Sequence, residues 1–305
     1  MEVQAVQPFI LTFKDNLLQN LNVFARDIKL SHSIFAMPFV GVALSLTGVD
    51  GVSGLQLCKV IFCMILARSF AMGMNRYLDR DIDAANQRTR VRALPAGDAS
   101  PRIYLTITMF FGLGFIAASF TLSDLAGWLS PLLLAVLAFY SLMKKISWLT
   151  HWYLGVCLGL APIAAEIALF NRVSMDVVLV GLAVTFWTAG FDLLYSLQDQ
   201  EFDRAQGLYS APSKLGHKAA IRLSRLSFVF MIFALISAGI LSIAGMWWYI
   251  GVILVGGILI AEHWVIRDAM HTGHSNKINV AFFNLNAAVS VIFFIFSLVD
   301  AYAKS

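Results

Sequence analysis

The chain has 305 residues, 59% of them hydrophobic and only 13% charged, and a mean hydropathy of +0.76. A soluble domain carries roughly 25% charged residues, so too little polar surface remains here to cover a water-facing exterior. A large soluble protein with an apolar core is excluded in favour of an all-α, polytopic membrane protein.

The first 27 residues are amphipathic and of mixed charge. They lack the short apolar stretch and small-residue cleavage site of a secretory signal, and read as a cytoplasmic segment before the membrane. Apolar runs then predict about nine spanning helices, near residues 30–48, 54–78, 103–121, 125–142, 152–170, 177–198, 226–244, 246–266 and 279–299, packed around a central cavity. Residues 1–305 form one membrane-embedded domain in this reading. The three cysteines, Cys58, Cys63 and Cys157, all lie in apolar runs, so no disulfide or zinc framework is expected. His271 and His274 sit in a loop without a third ligand.

Lys and Arg resist translocation and collect in cytoplasmic loops. With the N-terminus in the cytoplasm, 18 of the 22 basic residues fall on that side and only Arg172 and Lys304 on the other, with Lys59 and Arg68 inside the second span. The two most basic connections, near residues 79–102 and 199–225, therefore face the same compartment.

Each of those connections carries an acidic stripe. Asn75, Asp79 and Asp83 are spaced i, i+4, i+8 and share one helical face, while Asp81 points away as a solvated end residue. Asp192, Asp199 and Asp203, spaced i, i+7, i+11, are expected on one face of a second helix. Crowded carboxylates in low dielectric repel one another unless something compensates them, and ionisable groups in spans are usually functional. Hard oxygen ligands at this density suggest Mg²⁺, which favours a few carboxylates together with substrate phosphates. The neighbouring arginines and lysines suit the same diphosphate. Ordinary solvated helix ends are the plain alternative. Two similar stripes, both cytoplasmic and both followed by basic loops with Gly and Pro, favour the metal and diphosphate.

The motif N-x3-D-x3-D followed by "RTRVRALPAG", and later "DLLYSLQDQEFD", resembles the UbiA-type intramembrane aromatic prenyltransferases, as does "KLSHSIFAMPF" at the first span. The resemblance implies that Asn75, Asp79, Asp83, Asp192, Asp199 and Asp203 hold Mg²⁺ against the diphosphate of a polyprenyl donor. It implies further roles for Arg88, Arg92, Lys144 and Lys145 on the departing diphosphate, with Tyr140, Tyr195 and Gln198 nearby. Gln87, Ala93 and Ser147 depart from the family's usual residues without removing a charge. Phe35, Met72, Met74, Tyr140 and Phe191 are candidates for the cavity wall, though ordinary packing is the better account of each, since Phe and Met are common in any span.

The implied reaction is transfer of a polyprenyl group to an aromatic acid, 4-hydroxybenzoate before a hydroxynaphthoate, in ubiquinone or menaquinone biosynthesis. The expected partners are a polyprenyl diphosphate, the aromatic acid and the bilayer, with no nucleic acid. In a bacterium the site would face the cytoplasm from the inner membrane. Lys29 and His32, one turn apart, could receive the acceptor's carboxylate, or simply snorkel and pack. Arg68, deep in the second span, needs either a carboxylate partner or the acceptor. Asn284 and Asn286 read as interhelical hydrogen bonds. A cation or anion transporter would instead place charges at the midplane on broken helices, and a lipid-binding scaffold gives no reason for six ligands in phase.

Overall fold

The computed structural model describes residues 19–28, 37–48, 51–272 and 275–304, the side chains of 267–283 excepted. It is all α-helical. A helix over residues 19–27 (α1) precedes α2 (Met37–Thr47), α3 (Gly54–Ala85), the short α4 (Ala93–Ala96), α5 (Pro101–Phe120), α6 (Asp124–Met143), α7 (Thr150–Phe170) and α8 (Met175–Tyr195). A 3₁₀ turn (Ser196–Asp199) leads to α9 (Gln200–Ala205), α10 (Ala211–Leu215), α11 (His217–Leu241), α12 (Met246–Thr272) and α13 (Ser275–Tyr302).

Among the described residues, 8 helices are long and apolar enough to cross a membrane, which makes the protein a multi-pass integral membrane protein. The 11-residue α2 rises only about 17 Å, short of the roughly 30 Å hydrocarbon core; the rest of the span expected at 30–48 lies outside the described residues up to Met37. The second span is longer than expected, running on to Ala85 and carrying the whole first stripe. The expected break near Gly245 is a true turn between α11 and α12, closed by the Gly245 amide donating to Asp300 Oδ2 at 2.8 Å.

Local chemistry sets the helix ends. Ser53 and Gln56 form a capping box at the start of α3, each side chain accepting the other's backbone N–H. Pro101 opens α5, and Gly97, at φ 81°, reverses the chain after α4.

Helix α8 sits at the centre of the bundle. In its most apolar window 67% of residues are buried, against 22–44% in the other spans. It packs on α7 through glycines: a Cβ on Gly155 would collide with the Thr185 carbonyl, and one on Gly159 with the Gly181 carbonyl. Such small residues let two backbones approach where lipid offers no hydrophobic driving force. The α12–α13 pair is fastened to α8 by a buried chain in which Trp187 Nε1 donates to Asn286 Oδ1 (2.9 Å) and Asn286 Nδ2 donates to Glu262 Oε1 (3.1 Å). Asn286 thus makes the expected interhelical bonds, whereas Asn284 is exposed.

An alanine normally gains about 1 kcal/mol of helix propensity over glycine. Gly159→Ala is nonetheless expected to lower stability by about 1–3 kcal/mol through overpacking at this crossing, read as a fall in the unfolding midpoint in detergent. Gly257→Ala, where no atom lies within 4 Å of the added Cβ, serves as the control that does not fall.

Candidate active site

Four helix ends meet in one charged layer: the C-termini of α3, α6 and α8 and the N-terminus of α7. The first stripe keeps its phase because α3 is unbroken to Ala85. Asn75 Nδ2 donates to Asp79 Oδ2 at 2.6 Å and to Ser141 Oγ at 3.3 Å, while its amide oxygen accepts from Arg76 Nη1 at 3.0 Å. Asp83, in the last turn of α3, is buried against Arg92 (Nη1 to Oδ2, 2.6 Å). Asp81 is exposed, paired only with Arg80, as expected of a solvated end residue.

The second stripe is not one helical face. Helix α8 stops at Tyr195, and a 3₁₀ turn intervenes before α9. Ser196 donates its hydroxyl back to the Leu193 carbonyl at 2.9 Å, the local competition that tightens a helix end. A 3₁₀ turn advances roughly 20° more per residue than an α-helix, so Asp192 and Asp199 lose the shared phase that unbroken α-spacing would give.

The two motifs are bonded to each other across more than 100 residues. Arg88 Nε and Nη2 hold Asp199 in a fork, to Oδ1 at 3.1 Å and Oδ2 at 2.6 Å, and Asn86 Nδ2 donates to the same Oδ1 at 3.3 Å. Burial works against the Arg88 cation, but these bonds outweigh it and raise its pKa above the ordinary guanidinium value. The fork itself is built locally: the Arg88 amide donates to Asn86 Oδ1 at 2.9 Å and the Thr89 hydroxyl to the Asp83 carbonyl at 3.2 Å.

Lys144 Nζ stands 2.8 Å from Oδ1 of the fully buried Asp203, and the Tyr209 amide donates to the Lys144 carbonyl at 2.7 Å. The basic pair is therefore tied to the second motif by side chain and backbone alike. Lys145 is exposed beside it, within electrostatic reach of Asp79, as are Asp83 and Arg92. Asp192 takes a different partner, the buried His151, whose Nδ1 lies 2.7 Å from Oδ2.

A cavity of about 990 Å³ opens from this layer, at the upper end of ordinary ligand pockets. Arg88, Arg92, Asp192 and Tyr195 line it where it meets the charged residues; Tyr140, Met72, Phe191 and Arg68 line it too. Its remaining wall is largely aliphatic, from α3, α6 and α7, with Leu133, Val136, Leu158 and Ala161 typical. Asp79, Asp83, Asp199, Asp203, Lys144 and Lys145 do not line it; Asp199 adjoins it through Arg88 and Asp83 through Arg92. Met74 packs instead in a cluster around Leu66 and Phe70. Arg68 finds no carboxylate among the described residues, and its buried Nε has no hydrogen bond. Lys29, His32 and Phe35 lie outside the described residues.

Among the described residues no three of His, Cys, Asp or Glu converge as a metal-binding group; each carboxylate has its own partner. The donor set nonetheless fits a hard divalent cation. Its ligands are carboxylate and amide oxygens, and both oxygens of buried Asp203 lack a hydrogen bond despite the Lys144 ion pair.

The profile of the UbiA prenyltransferase family matches residues 35–288. The chain belongs to the UbiA family. Within it, 4-hydroxybenzoate octaprenyltransferase of Aromatoleum aromaticum is 30% identical over 224 residues, covering 72% of this chain and 74% of that one. That of Pectobacterium carotovorum is 27% identical over 243 residues, covering 77% and 83%. Among solved structures, a UbiA homolog from Aeropyrum pernix K1 superposes with a TM-score of 0.77 at 28% identity, covering 89% of this chain and 98% of that one. A UbiA homolog from Archaeoglobus fulgidus bound to DMAPP and Mg²⁺ shares the fold, with a TM-score of 0.66 at 15% identity over 90% of this chain and 99% of that one.

Three residues of this UbiA-family site escape a reading of motifs. Asn86 was legible as the amide three residues beyond Asp83. His151 was legible as a polar side chain in the first turn of a span. Asp27, the acid at the end of α1, receives the Tyr104 hydroxyl at 2.8 Å and pairs with Arg76 at 3.6 Å, closing α1 over α3 and α5.

Removing one member of a buried ion pair strands the other charge. Lys144→Met is expected to lower stability by about 2–3 kcal/mol, discounted for the one-third exposure of Lys144. Adding Asp203→Asn should restore much of that loss, measured by thermal unfolding in detergent.

Proposed function

We propose that this chain transfers a polyprenyl group from a polyprenyl diphosphate to the ring of an aromatic acid, 4-hydroxybenzoate in the first instance, in respiratory quinone biosynthesis. The carrying observation is the Arg88–Asp199 fork, which joins two acidic motifs at the polar end of an apolar cavity. An allylic diphosphate has that same division, a polyanionic head and an apolar tail. The 4-hydroxybenzoate octaprenyltransferases among its relatives support the choice of acceptor.

In this reading Asn75, Asp79, Asp83, Asp199 and Asp203 hold Mg²⁺, while Asp192, the sixth expected ligand, stands in the cavity wall beside them. Bound Mg²⁺ supplies electrostatic stabilisation of the negative charge that develops on the diphosphate oxygens. Arg88, Arg92, Lys144 and Lys145 now neutralise protein carboxylates or stand beside them. When a diphosphate arrives they turn to its oxygens and orient it. The C1–O bond of the donor breaks with its electron pair leaving on diphosphate. The ring carbon ortho to the acceptor hydroxyl forms the new C–C bond to C1, and the displaced ring proton passes to a carboxylate or to the released diphosphate. Walls of Leu, Val and Ala keep water from the allylic cation, and the tail lies along them towards lipid.

Arg68 is the residue for the acceptor's carboxylate: it lines the cavity, and its buried Nε lacks a hydrogen bond. Lys29 and His32 remain candidates for the same group. The expected count stays at nine spans, the first of them at 30–48 and partly outside the described residues, with the helices surrounding one central cavity and residues 1–305 acting as a single domain behind a cytoplasmic segment 1–27. The bias of Lys and Arg puts the charged layer on the cytoplasmic face, of the inner membrane if the source is bacterial.

Membranes containing the protein should convert 4-hydroxybenzoate and a labelled polyprenyl diphosphate to a prenylated acid only with Mg²⁺. EDTA should abolish the product, and Asp79→Ala or Asp199→Ala should cost at least about 100-fold in rate. Unchanged rates in both variants would sink the reading, and a preference for a hydroxynaphthoate in the same assay would reassign the acceptor.

Arg68→Leu is expected to raise KM for the aromatic acid by about 10-fold or more, the scale of a lost charge-assisted hydrogen bond. The KM for the prenyl diphosphate should hold. A panel including a neutral phenol separates the cases, since an acceptor without a carboxylate should lose nothing to the substitution.

A further inference from the structure

The carboxylates of the second motif do not share one kind of partner. Asp199 is held by Arg88 and Asp203 by Lys144, basic side chains that a diphosphate can claim. Asp192 is held by His151, which is 2% exposed and comes from the first turn of α7. The backbone N–H of Ala211 points at His151 Nε2 from 3.2 Å. An amide N–H can only donate, so Nε2 must accept, and the ring proton must sit on Nδ1. That Nδ1–H then donates to Asp192 Oδ2 at 2.7 Å. Asp192 is partly exposed, and it is the one acidic member of either motif that lines the cavity.

We propose that His151 is a positioning residue that fixes the Asp192 carboxylate in the cavity wall. The Ala211 amide locks the tautomer, the imidazole locks Oδ2, and the remaining oxygen is presented to whatever occupies the cavity. Asp192 is thereby set apart from the diphosphate ligands Asp199 and Asp203 and assigned to the acceptor ring. The device also couples the site to the segment after the second motif. Ser210 and Ser213 cap α10 reciprocally and aim the Ala211 amide, and Tyr209 bonds the Lys144 carbonyl two residues earlier. Close packing of Gly155 and Gly159 on α8 keeps His151 and Asp192 within reach. The inference rests on the prenyl-transfer reading for its consequence but not for its geometry.

Two measurements test it. The first is ¹⁵N NMR of the purified wild-type protein labelled at histidine, with the His151 signals assigned by their loss in His151→Gln. An Nδ1–H tautomer that shifts in Asp192→Asn is expected, and an Nε2–H tautomer would overturn the proposal whether or not any prenyl group is transferred. The second is kinetic. His151→Leu should lower kcat by about 10–100-fold, the usual scale for loss of an orienting partner, with KM for the prenyl diphosphate nearly unchanged. His151→Asn, which keeps an N–H near the Nδ1 position, should recover most of that loss. In an Asp192→Asn background His151→Leu should add nothing, because the two residues act as a unit. Multiplying effects, or no rescue by Asn, would make His151 merely structural. A wild-type protein inactive on every aromatic acid would instead defeat the proposed function and leave the tautomer result standing.

Discussion

Everything at the charged end of this bundle depends on compensating buried carboxylates. Asp83, Asp199 and Asp203 are buried at helix ends inside a chain with few charges, where an unpaired carboxylate is costly. The structure meets that constraint by drawing cations from other elements. Arg88 and Arg92 come from the loop after α3, and Lys144 comes from the end of α6. Each pairing is also a cross-link, so neutralising the acids folds the loops over the helix ends. Under the proposed function the same cations are already beside the acids when an anionic head group enters, and need only exchange one oxygen partner for another.

The helices make that arrangement possible by where they allow close approach. Glycines on α7 and α8 bring two backbones together at Thr185 and Gly181, while α12 and α13 reach α8 through Trp187, Asn286 and Glu262. With α8 fixed on both sides, its last turn has little freedom, and Asp192 enters the cavity from a rigid support. The 3₁₀ turn that follows redirects Asp199 and Asp203 out of the phase of Asp192 and towards the incoming arginine and lysine. One motif thus serves two places because its helix is interrupted between them.

Much of this was legible in the sequence because the governing rules are periodic. Run length gave eight of the nine expected spans, and the i, i+4, i+8 spacing gave the face shared by Asn75, Asp79 and Asp83, since nothing between them breaks α3. The same arithmetic misplaced Asp192 relative to Asp199, because a serine hydroxyl folding back on Leu193 is a local event with no periodic signature. Asp27, His151 and Glu262 went unread for a related reason. Each is a lone polar residue whose meaning lies in a partner far along the chain: Tyr104, Asp192 and Asn286. The basic loops were legible as a counter-charge, but which arginine meets which acid was not. That pairing is decided by the turn at Asn86, where one side-chain oxygen captures the Arg88 amide and the amide group reaches Asp199.

The gradient from the charged layer into the cavity carries the chemical logic. Breaking a C–O bond to diphosphate is favoured where fixed cations face the leaving oxygens, and the cation left behind survives where water is scarce. Both conditions hold only along a boundary, with Arg88, Arg92, Asp192 and Tyr195 on one side and aliphatic wall on the other. A site wholly among the charges would admit water to the allylic carbon, and one deeper in the cavity would leave the diphosphate uncompensated. In the proposed reaction the reacting carbon belongs where the two regions meet, and Tyr140 lines the cavity within electrostatic reach of both Asp79 and Asp192.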